Sequence, residues 1–218
     1  MTTQLQHFPQ TKYALGLHTS TPELGLTITN FAGDTRCQIW NLGRDLSSHL
    51  HQYLIDFIKP QNWGDLEFIA VAKGPGGFTG TRIGVVTART LGQQLDIPVF
   101  AVSTLAAVAW TEIIKSQTNQ AIAVEMPAQR GQIFGAIYQS TSNNFGLTTL
   151  LSDNVFTPET WQENLTNCNC SYQLIKATSG LAATVDSIVT LAGFDWQQGL
   201  RPDWSQALPY YGQHPVDV

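Results

Sequence analysis

Residues 73–84 read Lys73-Gly74-Pro75-Gly76-Gly77-Phe78-Thr79-Gly80-Thr81-Arg82-Ile83-Gly84, and they crowd glycine and proline into one short turn. Such a turn has few physical uses: left-handed backbone, close approach of a ligand, or close packing against another backbone. Amides at the start of a following helix could also receive an anion. The Walker A pattern needs a lysine after its last glycine, and none follows Gly80. The dinucleotide pattern fails as well, because Thr79 stands where the third glycine should be. Gly74, Pro75, Gly76, Gly77, Phe78, Thr79 and Gly80 are therefore read as a structural turn that lets two helices pack closely.

The other chemistry-bearing residues form no constellation. His18 has no carboxylate or thiol identifiable beside it, so a catalytic histidine is not the expectation. His49 and His51 are two apart on a predicted helix and point to different faces, unlike a metal pair. His7 and His214 fall in the terminal segments. Cys37, Cys168 and Cys170 are an odd, sparse set, and no second ligand pair follows the C-x-C with zinc spacing. Reduced loop thiols are expected there. No G-x-S-x-G elbow occurs. Lys and Arg total 11 without a run, and the formal net charge is −5, so no footprint for a phosphate backbone is visible. The six tryptophans read as packing residues in a setting this poor in basic charge.

Elements must position what chemistry there is. Strands are expected at 13–17, around 24–29 and around 37–42, the last two from period-two alternation, with Cys37, Ile39 and Leu42 as the apolar positions of the third. Ser47 or Ser48 can cap a helix carrying Leu50, Tyr53, Leu54, Phe57 and Ile58 on one stripe, and Pro60 stops it. Residues 66–72 form a strand covered on both faces, 79–96 a helix, 99–102 a strand and 104–115 a helix capped by Ser103. The pattern then restarts, with strands at 121–125 and 133–138, a turn at Asn143-Asn144, strands at 147–151 and 172–177, and helices from Pro158 and over 181–192. The order β-β-β-α-β-α-β-α is that of the ribonuclease-H-like, actin/Hsp70-like α/β fold, with a second, eroded lobe of mixed sheet; this analogy carries no function by itself. Residues 1–12 are expected to be flexible, 13–118 to form the first lobe, 119–198 the second, and 199–218 an irregular tail. Charged residues are only 12% of the chain, which leaves room for a weakly polar contact surface. No run approaches the ~18 apolar residues of a membrane span, and no secretory signal opens the chain, so a cytoplasmic protein is expected.

The string G-P-G-G-F-T-G-T-R-I-G, followed by Ile97-Pro98-Val99-Phe100-Ala101-Val102-Ser103-Thr104-Leu105, resembles the bacterial TsaB (YeaZ) family. The similarity runs from about Tyr13 to Tyr138, is specific only in 73–105, and is weak past residue 150. The resemblance implies a non-catalytic scaffold in making N6-threonylcarbamoyladenosine at position 37 of tRNA. It implies pairing with a TsaD-like catalytic subunit that carries the metal, and with a TsaE-like ATPase, so ATP and metal belong to the partners and tRNA is met only indirectly. It further implies contact through the first two helices, for which His49, Tyr53, Arg82 and Arg89 are the candidate outer-face residues. Two positions depart from the family: Leu17-His18-Thr19 stands where I-D-T is usual, and Met126-Pro127-Ala128-Gln129-Arg130 where I-D-A-R begins the second lobe. Both lack the carboxylate that actin-like ATPases use toward Mg²⁺, and no acidic cluster for two-metal cleavage is available. The alternatives are an independent or degenerate ATPase or kinase of the same fold, and a homodimer using the same helix face.

Overall fold

The structure is a computed structural model that describes residues 5, 8–141 and 145–212. The turn at Asn143-Asn144, His7 and His214 lie outside the described residues. Strands β1 (Tyr13–His18), β2 (Glu23–Thr29), β3 (Thr35–Asn41), β4 (Leu66–Ala72) and β5 (Val99–Val102) form one sheet in the order β3-β2-β1-β4-β5. The meander β1-β2-β3 is antiparallel, and β4 and β5 extend it in parallel. A second sheet holds β6 (Ala121–Pro127), β7 (Ile133–Ser140), β8 (Leu147–Phe156) and β9 (Tyr172–Lys176) in the order β8-β7-β6-β9. It repeats the first, antiparallel meander and parallel neighbour included, without a counterpart of β5 among the described residues. This is the two-lobed α/β arrangement anticipated from the sequence.

Among the described residues five helices cover the sheets: α1 (Leu46–Phe57), α2 (Phe78–Leu95), α3 (Thr104–Ser116), α4 (Pro158–Asn167) and α5 (Val185–Gln197). Helix α3 begins as expected, with the Ser103 hydroxyl accepting from the amides of Leu105 and Ala106. Helix α1 begins earlier than expected, at Leu46 after a 3-10 turn, and no side chain caps it. Helices α1 and α2 lie on one face of the first sheet and α5 on the other; α3 lies on the second sheet, with α4 on its far face. Helices α3 and α5 also meet each other. One apolar cluster consequently runs from Phe68, Ala70 and Phe100 through α3 and α5 to Ile122, Val124 and Ala136. The sheets divide near residue 118, but the packing does not, since α3 serves the second sheet and α5 the first.

Three expectations change. In β3 the apolar positions Cys37 and Ile39 are exposed, and Arg36 and Trp40 are the half-buried ones. The register explains it: Trp40 faces Leu24 and Arg36 faces Ile28, on the side that α1 covers. Residues Leu5 and Phe8, in the segment expected to be flexible, are buried, and the Phe8 ring packs edge-on against Phe31, Phe68 and Trp196. Cys168 and Cys170, expected as thiols, form a disulfide in the turn after α4, where their Cα atoms are 5.3 Å apart and within bonding range.

Candidate functional site

Of the concave features near the glycine-rich turn and the helix that follows it, two bear on function. The first is a cleft of about 900 Å³ between the lobes, walled by the turn after β1 (Thr19, Ser20), the turn before α2 (Gly76 to Gly80) and the end of β6 (Met126, Pro127). The glycines are there because two backbones meet. The Gly77 amide donates to the Ser20 carbonyl at 2.8 Å, and the Thr19 hydroxyl donates to the Gly80 carbonyl at 2.8 Å. A Cβ on Gly76 or Gly80 would fall well inside van der Waals contact of the Ser20 or Thr19 carbonyl oxygen. Close packing was expected between two helices; the actual partner of α2 here is the β1–β2 turn.

No carboxylate lines this cleft, and Arg44 is its one charged lining residue among the described residues. His18 ends β1 fully buried, with both ring nitrogens lacking a hydrogen-bond partner, and burial lowers its pKa to about 4 despite the opposing charge of Glu23. It is a neutral core histidine. Glu125, the acid nearest the end of β6, is engaged elsewhere, accepting from the Trp161 indole at 2.7 Å and pairing with Lys176 at 3.1 Å. Asp34 accepts from the Tyr13 hydroxyl at the far end of β1. No group of three potential metal ligands occurs among the described residues. The donor set therefore does not fit a magnesium-bound nucleotide of the actin-like kind.

The second feature is a groove of about 610 Å³ between α1 and α2, lined by Ser47, His51, Ile55, Arg82, Val86 and Thr90 among others. Its walls are more apolar than an exposed helix face requires: Ile55 is 47% exposed and Val86 51%. Each helix carries a buried stripe for its own sheet, Leu46, Leu50, Leu54 and Phe57 on α1, and Thr81, Gly84, Val85, Ala88 and Gly92 on α2. A second stripe, Ile83, Val86 and Thr90, runs along the neighbouring side of α2 at i, i+3, i+7. Of the anticipated outer-face residues, Arg82 lines this groove. His49 is exposed on α1 but does not line it, its Nδ1 lying 3.1 Å from the Asp45 carbonyl oxygen. Tyr53 is half-buried against Trp40, ring centroids 4.8 Å apart. Arg89 lies over the Trp204 ring at 5.8 Å. The structure thus does not gather the four residues into one patch. Leu50 and Leu54 are buried in the core, whereas Val86 is half-exposed. The groove's own residues were legible only as a second stripe on α2. We expect Tyr53→Ala to cost about 1–2 kcal/mol of stability through the lost ring contact, read by chemical denaturation, with any complex formed through the groove left within about threefold of its original affinity.

Two mixed sheets in the orders β3-β2-β1-β4-β5 and β8-β7-β6-β9, with a cleft between the lobes, give the chain the ribonuclease-H-like, actin-like α/β fold. Comparison with known proteins narrows it. The family model described as "TsaD: tRNA N6-adenosine threonylcarbamoyltransferase" matches residues 53–164, a little over half of the chain. Over 75 residues the chain is 45% identical to the tRNA threonylcarbamoyladenosine biosynthesis protein TsaB of Bacillus subtilis, covering 34% of this chain and 31% of that protein. Over 79 residues it is 34% identical to the Escherichia coli protein of the same name, covering 36% and 34%. The matched stretches span about a third of these relatives' length. The structure of YeaZ from Pseudomonas aeruginosa superposes with a TM-score of 0.73 at 23% identity, covering 92% of this chain and 99% of that one. The chain belongs to the family that the matching family model describes, and the relatives and the structure it resembles carry the names TsaB and YeaZ.

Proposed function

We propose that this chain is a non-catalytic partner subunit in the N6-threonylcarbamoyladenosine modification of tRNA, working in the cytoplasm by binding a TsaD-like catalytic subunit through the α1/α2 groove. The observation that carries the reading is the apolar groove itself. Ile55 and Val86 stand half-exposed on adjacent helices whose other stripes already satisfy the core, and burying the half still exposed is worth roughly 1 kcal/mol each. The relatives that match are named for threonylcarbamoyladenosine biosynthesis, which supplies the pathway. The cleft's lack of carboxylates favours a supporting role over an independent ATPase or kinase, so ATP and metal are assigned to the TsaD-like and TsaE-like partners. The sparse, unclustered basic residues support a reading in which other subunits make most of the tRNA contact.

Sedimentation of this chain mixed with a TsaD-like protein tests the proposal. A 1:1 complex is expected, weakened at least about tenfold by Val86→Asp, which puts a charge where an apolar contact was. Arg82→Glu is expected to act in the same direction. No complex at tens of micromolar, or one indifferent to both substitutions, overturns the reading. Self-association that survives with the partner in excess would assign the groove to a second copy of this chain, and ATP turnover by the isolated chain would restore the enzyme alternative.

A further inference from the structure

Residues 199–212 were expected only to be irregular; their route is informative. They leave α5, lie along the open edge of β5 with the Val99 amide donating to the Pro202 carbonyl at 3.3 Å, and bury Ala207 in the cluster beneath α2. The chain then crosses the glycine-rich turn. The Tyr210 amide donates to the Lys73 carbonyl at 2.6 Å, and Gly74, at φ +96°, lies so close to the Tyr210 carbonyl that a Cβ there would overlap it. Next the chain reaches the second lobe. The Tyr210 hydroxyl donates to the Asp153 carbonyl of β8 at 3.0 Å, and Gly212 is pressed so closely on Phe134 of β7 and Val155 of β8 that a Cβ would lie 2.8 and 2.9 Å from their side chains. Between these anchors the Tyr211 ring packs at a tilt against Phe78, the first residue of α2, with centroids 4.4 Å apart.

This segment also separates two cavities. Tyr211 lines the inter-lobe cleft. Tyr210 lines a second cavity of about 600 Å³ behind the turn, together with Lys73, Ser103, Tyr138 and Asp153. Side chains of the first lobe on one side and of the second on the other are thus held by three consecutive residues.

We propose that residues 210–212 are a strap that latches the two lobes together across the glycine-rich turn and sets how far the cleft opens. The segment has the properties such a device needs. Its anchors are two hydrogen bonds, one ring contact and one glycine contact, without a deeply buried apolar side chain at 210–212, so it can unseat without unfolding a lobe. Releasing it would free the turn that starts α2 and the β7–β8 wall together. The inference does not depend on what the groove binds.

The test is amide hydrogen exchange on the full chain, a chain lacking residues 210–218, and Tyr211→Ala, followed in peptides covering 73–82, 127–137 and 185–197. Removing 210–218 is expected to raise exchange at least about tenfold in the first two peptides and leave α5 unchanged. Tyr211→Ala, which removes only the ring contact, is expected to raise exchange about threefold in 73–82 with the same melting temperature. Unchanged exchange in the first two peptides overturns the proposal. So does a rise shared equally by α5, because the tail would then act on global stability and not on the lobes. Should the shortened chain fail to fold, Tyr211→Ala and Tyr210→Phe decide by the same criteria.

Discussion

Replacing Gly80 by alanine is expected to lower stability by roughly 2–3 kcal/mol and the melting temperature by roughly 5–10 °C for a chain of this size. In an ordinary helix interior the same change gains about 1 kcal/mol, because alanine loses less backbone freedom on folding. Here the sign reverses. Gly80 lies in the first turn of α2, where its carbonyl accepts from the Thr19 hydroxyl and a Cβ would be driven into the Thr19 carbonyl oxygen. That oxygen belongs to backbone, so no rotamer change relieves the overlap. Helix α2 or the β1–β2 turn must move, and the Gly77–Ser20 bond stands in the way. Gly64 supplies the control: its backbone is unstrained and nothing lies within 4 Å of the added carbon, so Gly64→Ala is expected to stay within about 0.5 kcal/mol of the original. Thermal unfolding of the two variants decides the matter. Equal stabilities would mean that the glycine-rich turn is not held against the β1–β2 turn.

His18 carries the second large effect, and its sign follows from proton linkage. Burial holds the folded imidazole at a pKa of about 4, against 6.5 for an exposed histidine. Above pH 6.5 both states are neutral and stability is complete. Below it the unfolded chain takes up a proton that the folded chain refuses, so stability falls as pH drops toward 4 and levels off beneath that. At about 1.4 kcal/mol for each tenfold change in proton affinity, the loss comes to about 3 kcal/mol. The carboxyls of Asp153 and Asp195, raised chiefly by burial, act in the opposite direction, since the folded state keeps their protons to higher pH. Comparison with His18→Met, similar in volume and unable to titrate, isolates the histidine. Denaturant midpoints measured from pH 7.5 to 4 should diverge for the two chains, the original falling faster. Parallel curves would place a proton acceptor or solvent beside the imidazole and remove the basis for treating it as a neutral core residue.

What the residues disclosed was governed by how local the cause was. Strand β4 (Leu66–Ala72) and the capped start of α3 follow from an uninterrupted apolar run and one serine, and both were readable within a residue or two. At the ends of β1 and β6 the sequence shows His18 and Pro127, without a carboxylate at either position. Strand β3 misled because its inward face is chosen by pairing with β2, and an edge strand's own alternation does not say which side α1 will cover. The candidate outer-face residues scatter over the two helices for a related reason. Tyr53 and Arg89 have the chemistry of contact residues but meet Trp40 and Trp204, from β3 and the tail, and neither meeting is written in the helices that carry them. The strap was invisible because its contacts are mostly main-chain atoms at distant positions.

The crossing of α3 and α5 between the sheets has a consequence for synthesis. Ribosomes deliver the first sheet and α3 long before α5, which ends at Gln197, so for most of translation one face of β1 and β4 lacks the helix that will cover it. At about 5–20 residues per second, several seconds pass in which Ala14, Phe68 and Ala70 face water or a chaperone. Neither half of the chain can mature alone, and a ribosome stalled before residue 185 would hold a nascent chain that is sticky on one side.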